Sequence, residues 1–473
     1  MPEAEAKEVT IRMYRQGLGD CFLITFPRKP EPFYFLIDCG AIASRHYNDT
    51  DMKNVVNHIR ATTHNHLDVL AATHEHWDHI SGFTQAKDIF DAISVDQVWV
   101  AWTEEPDNVA AKVLKDRFKK QKRAVEMALR RIPEGAHDAR LGLYKKAIGE
   151  LFGFFGGLGV KGSKGRTEVA WKYILMKGQK VYCHPKKGPL ELKGVPGVRI
   201  YVLGPPEDPE YVKRLLSKKE TYDAGFQALS LADGFLAAVS RERADSKLKE
   251  STMPFDRRYR IPARKAQRIE FFRERYGFDA GTRDEWRRIE DDWLVTAGEL
   301  ALHLDSYTNN TCLALAIELI DSGKVLLFPG DAQVGNWLSW GDLSWEVKDA
   351  SGLPRNVKID DLLKRTVLYK AGHHGSHNAT LRGKGLEMME SPDLVAMIPV
   401  HRATAKDQKW KFPYQPLWDR LKEKCGGRVL LADAEDIDEL KDDVEARLSP
   451  ADWKSLKEAT SSKKLYIEYR ITI

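Results

Sequence analysis

The chain has 473 residues, 42% hydrophobic and 30% charged, which is the length of two to three ordinary domains or of one large domain carrying insertions. Its 12 Trp, 16 Tyr and 18 Phe exclude a disordered chain. A net charge of +5, from 74 basic and 69 acidic residues, is too mild to imply a nucleic-acid partner by itself. Cys21, Cys39, Cys183, Cys312 and Cys425 show no CxxC spacing, which argues against a disulfide scaffold or a zinc ribbon and fits a reducing cytoplasm. No apolar run reaches the ~18 residues of a membrane span, and the start, MPEAEAKEVT, lacks the apolar stretch of a secretory signal. A soluble, cytoplasmic protein with no membrane partner is therefore expected.

In chain order, VTIRMYRQG and CFLITF read as short strands around the turn Gly17-Leu18-Gly19-Asp20. FYFLIDCG and LDVLAATHEH are buried-strand runs that release into polar loops, a short helix spans 54–60, and DQVWVAW is a further strand. From Lys112 to Arg131 there are nine basic and two acidic residues, a local +7 that leaves about -2 for the rest of the chain. Leu114, Phe118, Val125, Leu129 and Ile132 recur there at helical spacing, so an amphipathic helix with a basic outer face is predicted. The Gly-rich LFGFFGGLGVKGSKG lacks strand-to-helix context and is not a phosphate loop. VRIYVLGPP returns to strand, and 211 to about 300 is densely charged and helical. TCLALAIELI, KVLLFPGD, TVLYKAGHHG, DLVAMIPV and GRVLLAD then resume the buried-strand style. The organisation predicted is an α/β core over 1–102, a core strand segment over 191–210 and a second core half over 305–473. A basic helical insertion over 103–190 and a charged helical insertion over 211–304 interrupt it.

The chemistry concentrates in Thr73-His74-Glu75-His76-Trp77-Asp78-His79. Histidines two apart on an extended loop point to one side, so His74 and His76 can converge on one cation, while Asp78 and His79 turn towards a second position. Such nitrogen and oxygen ligands suit zinc, manganese or iron. Asp331 ends the strand KVLLFPG at a corner where a carboxylate can bridge two metals. His373 and His374 end the strand TVLYKAG. All three segments place polar ligands at the ends of apolar strands, where α/β proteins build sites.

With HxHxDH at His74, His76, Asp78 and His79, the chain resembles the metallo-β-lactamase superfamily. Within it the chain is most similar to stand-alone relatives of the ComEC/Rec2 competence family. Gln16-Gly17-Leu18-Gly19-Asp20-Cys21, Leu36-Ile37-Asp38-Cys39-Gly40, Phe328-Pro329-Gly330-Asp331 and His373-His374-Gly375-Ser376 carry that likeness, over roughly 8–102 and 305–435. The resemblance implies a four-layer αβ/βα sandwich with two divalent metal ions, zinc or manganese, at the edge between its sheets. His74 and His76 would bind the first. Asp78, His79 and one of His373 or His374 would bind the second, with Asp331 bridging. Asp38 would orient a ligand histidine through its ring N–H, and Asp78, His373 and His374 are the expected catalytic residues. Where many relatives supply a third histidine to the first metal, this chain has Asn309-Asn310-Thr311, with His303 nearby.

Such a site implies hydrolysis by a metal-bound hydroxide; no Gly-x-Ser-x-Gly elbow supports a serine hydrolase. A phosphodiesterase or nuclease is the first expectation, with Lys119, Lys120, Lys122 and Arg123 of the basic helix as candidate nucleic-acid contacts. A small-molecule hydrolase for a lactone, thioester or phosphoester is the alternative. There the insertions would form a lid and Trp77 would wall a compact pocket. A binding or effector module without turnover is the third. Cys21 and Cys39 are expected to be buried small hydrophobes.

Overall fold

The structure, a computed structural model, describes residues 8–42, 44–129, 165–212, 214, 220, 258, 261–278, 304–349 and 351–473. It is a mixed α/β protein whose chain divides into two compact units. The first comprises Met1–Lys112, Gly153–Gln227 and Ser306–Ile473; the second comprises Val113–Phe152 and Ala228–Asp305. No described helix is long and apolar enough to cross a membrane.

Seventeen described strands run through the chain. The first six are β1 (Glu8–Tyr14), β2 (Phe22–Phe26), β3 (Phe33–Ile37), β4 (His66–Ala71), β5 (Ser94–Ala101) and β6 (Gln179–Cys183). Next come β7 (Leu190–Leu192), β8 (Val195–Gly204), β9 (Ala314–Leu319), β10 (Lys324–Phe328), β11 (Ser344–Lys348) and β12 (Pro354–Lys358). The last are β13 (Thr366–Lys370), β14 (Val395–Ile398), β15 (Val429–Leu431), β16 (Thr460–Lys463) and β17 (Tyr466–Thr472). An eight-stranded sheet has the order β16-β17-β1-β2-β3-β4-β5-β6, and a seven-stranded sheet the order β15-β14-β13-β10-β9-β8-β7. β11 and β12 form a separate ribbon.

Side chains alternate across each strand with period two, and in β3 and β9, buried on both faces, alternate residues join different core clusters. Phe33, Phe35 and Ile37 of β3 share one core cluster with Leu315, Ile317 and Leu319 of β9, so the two sheets bury a common interior. Phe22 of one sheet meets Phe328 of the other edge-on, ring centroids 5.6 Å apart. Tyr34 and Leu36 of β3 pack instead with Met52, Val55 and Ile59 of the helix Asp49–Thr62. On the other sheet, Ala314 and Ala316 pack with Leu362 and Leu363 of the helix Ile359–Lys364 and with Leu417 and Leu421 of Gln415–Lys424.

Each sheet is part antiparallel and part parallel, and the parallel part positions the site. β3, β4, β5 and β6 pair in parallel, as do β10, β13, β14 and β15. Parallel neighbours bring their carboxyl ends to the same edge. Asp38, Thr73, Asp331 and His373 are each released just past such an end.

Residues 165–190, predicted to lie in the basic insertion, extend the first sheet. β6 pairs with β5, and the helix Arg166–Leu175 buries Ala170, Trp171 and Ile174 against the same outer cluster as Leu36. The amphipathic helix is present as Val109–Leu129, with Leu114 and Val125 buried and Lys119, Lys120 and Arg123 exposed. The Gly-rich stretch 151–164, Ile132, His303 and most of 211–304 lie outside the described residues.

Candidate metal centre

The metal loop leaves β4 at Ala72 and closes into the short helix Trp77–Ile80, which carries Asp78 and His79 inward. His76, Asp78, His79, Asp331 and His374 are 0% exposed, His74 4% and His373 7%. Ligand atoms of His74, His79 and Asp331 lie within 4.8 Å of one another, and so do those of Asp78, Asp331 and His374. Each group could hold a metal ion, and Asp331 belongs to both. His76 stacks edge-on against His74 at 4.6 Å between ring centroids. Of the two adjacent histidines, it is His374 that enters the group. The His373 ring lies 5.5 Å from that of Phe412, while its backbone N–H donates to Asp331 Oδ1 at 2.8 Å.

Hydrogen bonds decide which ring nitrogen each imidazole offers. Asp38 accepts from the Thr73 N–H (2.8 Å), from the Thr73 hydroxyl (2.6 Å) and from His79 Nδ1 (2.7 Å). The Thr73 hydroxyl, having spent its proton on Asp38, accepts from His74 Nδ1 at 3.0 Å. His374 Nδ1 donates to the Pro399 carbonyl at 2.7 Å. All three rings are thereby held through Nδ1, with Nε2 turned towards the carboxylates, as metal-ligating histidines are. His74 Nε2 and Asp78 Oδ1 are fully buried without a hydrogen-bond partner, a costly state for polar atoms unless a cation takes them. His79 Nε2 approaches Asp331 Oδ2 to 3.1 Å and Asp78 Oδ2 to 3.6 Å, and neither contact has hydrogen-bond geometry. Ligand atoms facing a shared point crowd in this way.

The electrostatics point the same way. Asp20, Asp38, Asp78 and Asp331 are buried with one buried ammonium, Lys370. Three negative charges stay uncompensated when every imidazole is neutral, the form that binds metal. Burial holds His74 well below the ordinary histidine range and His76 down to about 3, so both are neutral donors. For His79 burial works the same way, but Asp331, Asp20, Asp78 and Asp38 outweigh it and raise its pKa. Asp331, despite burial, is held well below the usual carboxylate range by His79 and Lys370.

The backbone is bent to fit. Asp38 (φ 54°), His373 (φ 46°) and His374 (φ 54°) occupy the left-handed region, which costs of order 1–3 kcal/mol for non-glycine residues and clusters at functional sites. Gly330 (φ 57°) precedes Asp331, and a Cβ there would stand 2.3 Å from Cys312 Sγ. Cys312 Sγ accepts the Asp331 N–H at 3.2 Å, and burial pushes that thiol up to about 12, so it supports the corner as a neutral group.

Three other expectations meet different surroundings. Asn310 is committed to the backbone: its Nδ2 donates to the carbonyls of Val212 and Arg214, and its Oδ1 accepts from Asn336 N–H. Trp77 is 8% exposed and belongs to the buried cluster that holds Ile80, Phe83 and Trp171. Cys21 and Cys39 are buried in that same cluster, as expected. Two participants carried no assigned role in the sequence reading. Lys370 Nζ reaches Asp20 Oδ2 (2.5 Å), Gly330 O (2.9 Å) and Asp331 Oδ1 (3.1 Å). The available signal was a lysine closing the apolar run TVLYK, which burial would not tolerate unpaired. No family model matches the chain, and no curated protein matches it.

Proposed function

We propose that the chain is a metal-dependent hydrolase of the metallo-β-lactamase superfamily, related to the stand-alone domains of the ComEC/Rec2 competence family, acting on phosphodiesters. The observation that carries this reading is the set of three imidazoles held through Nδ1, with Nε2 turned into a buried pit where four carboxylates face one ammonium. The paired sheets with helices on both outer faces fit the four-layer αβ/βα sandwich of that superfamily.

His74 and His76 would hold one divalent cation, zinc or manganese. By the family likeness Asp78, His79 and His374 would hold a second, with Asp331 serving both; the spacing of ligand atoms instead puts His79 with His74, and His76 in neither group. Bound there, the pair lowers the pKa of a coordinated water towards neutrality and polarises the bond under attack. Asp38 and Thr73 hold the ring tautomers that present Nε2. Two divalent cations and a coordinated hydroxide balance the three negative charges, so the preference for a phosphodiester over a lactone or thioester rests on the ComEC/Rec2 likeness and on the basic residues Lys119, Lys120, Lys122 and Arg123. The retention of His74, His76, Asp78, His79, Asp331 and His374 weighs against a module without turnover.

The test is a substrate panel of bis-p-nitrophenyl phosphate, single- and double-stranded DNA, RNA, a lactone and a thioester, each with manganese and with zinc. Cleavage of at least one phosphodiester, abolished by chelation, is expected. Turnover confined to the lactone or thioester would reject the phosphodiester assignment.

A further inference from the structure

Among the described residues, Lys370 is the one lysine or arginine buried among these carboxylates, and nothing in the hydrolytic reading uses it. It closes β13, three residues before His373, and is 1% exposed. Its three contacts are all directed: Asp20 Oδ2 at 2.5 Å, the Gly330 carbonyl at 2.9 Å and Asp331 Oδ1 at 3.1 Å. Asp331 Oδ1 also accepts the His373 N–H at 2.8 Å. One oxygen of Asp331 is thus occupied by two protein donors, while Oδ2 faces His79 at 3.1 Å. Asp20, which anchors the ammonium, is tied to the metal loop because its N–H donates to the Asp78 carbonyl at 3.0 Å.

We propose that Lys370, anchored by Asp20, is a positioning residue that restricts Asp331 to a single coordinating oxygen, Oδ2, and so sets the placement of the second cation. The inference rests on the metal-centre reading above. It runs against simple charge balance, and that makes it testable. An ammonium repels metal cations, so by charge alone its removal tightens metal binding. If Lys370 acts by positioning, its removal leaves Oδ1 held by the His373 N–H alone, Asp331 can turn about that single contact, and the second cation binds more weakly.

The experiment titrates the whole protein with Mn(II) alone and reads stoichiometry and affinity by calorimetry, with melting temperature followed in parallel. Wild type, Lys370→Met and the double variant Lys370→Met/Asp20→Asn are compared. The double variant removes one positive and one negative charge, so the net charge of the pit is unchanged and Asp20 is not left as a stranded buried charge. It therefore serves even if Lys370→Met alone does not fold. In each folded variant the first Mn(II) is expected to bind as in wild type and the second at least tenfold more weakly. A second Mn(II) bound as tightly as in wild type, or more tightly, overturns the positioning role. Wild type that binds no Mn(II) and no zinc instead overturns the metal-centre reading itself, a separate outcome.

Discussion

Thr73 links the Asp38 carboxylate to the His74 ring through its hydroxyl, while its N–H donates to the same carboxylate at 2.8 Å. The hydroxyl donates to Asp38 at 2.6 Å and accepts from His74 Nδ1 at 3.0 Å. Thr73→Val keeps the shape and deletes the relay, leaving His74 free to turn. Loss of such supporting partners typically costs roughly 10–100-fold in metal affinity, and that is the expected outcome in a Mn(II) titration; unchanged affinity would show that His74 is held by packing alone. Asp331 stands in both ligand groups. Asp331→Asn should therefore depress hydrolysis of bis-p-nitrophenyl phosphate more than His74→Ala does. A near wild-type rate for Asp331→Asn would show that its carboxylate does not join the two positions.

The elements that build the centre were readable where burial leaves a simple pattern. β3, β4, β10 and β13 are apolar runs, each followed within a few residues by a residue of the site, and the histidine spacing marked the loop after β4. β6 was not readable in this way. Its sequence, QKVYC, has an edge-strand pattern with exposed Gln179 and Lys180, and it lies among basic residues that resemble a solvated helix. The pairing of Lys370 with Asp20 was not visible either, because it joins opposite ends of the chain across the interface of the two sheets. The choice of His374 over His373 depends on two left-handed residues in succession and on a carbonyl at Pro399. Gly40 tests how rigidly these loops are docked. A Cβ at this position would stand 2.5 Å from the Asp78 carbonyl carbon and 2.6 Å from His79 N. Gly40→Ala should cost about 1–3 kcal/mol of stability and lower metal content with it. Denaturant unfolding measures the first effect, and an unchanged midpoint would show that the loop yields.

For the whole molecule the outstanding question is what the basic helix meets. The segment from Lys112 to Arg131 carries a +7 balance against about -2 for the rest of the chain, and Lys119, Lys120 and Arg123 are exposed. If it tracks a phosphate backbone, changing Lys119, Lys120, Lys122 and Arg123 to Glu weakens oligonucleotide binding. Each lost contact then flattens the log–log salt slope by about 0.7–0.9, while turnover of a small chromogenic diester is unchanged. An unaltered slope and affinity would remove this helix as a nucleic-acid surface. Every functional statement, however, depends on a cation sitting among His74, His76, Asp78, His79, Asp331 and His374. Plasma-emission analysis of manganese-loaded protein freed of excess metal measures this directly in wild type, His76→Ala and Asp78→Ala. Two ions per chain are predicted in wild type, with a loss in each variant while circular dichroism shows the fold retained. Full occupancy in both variants would contradict the account.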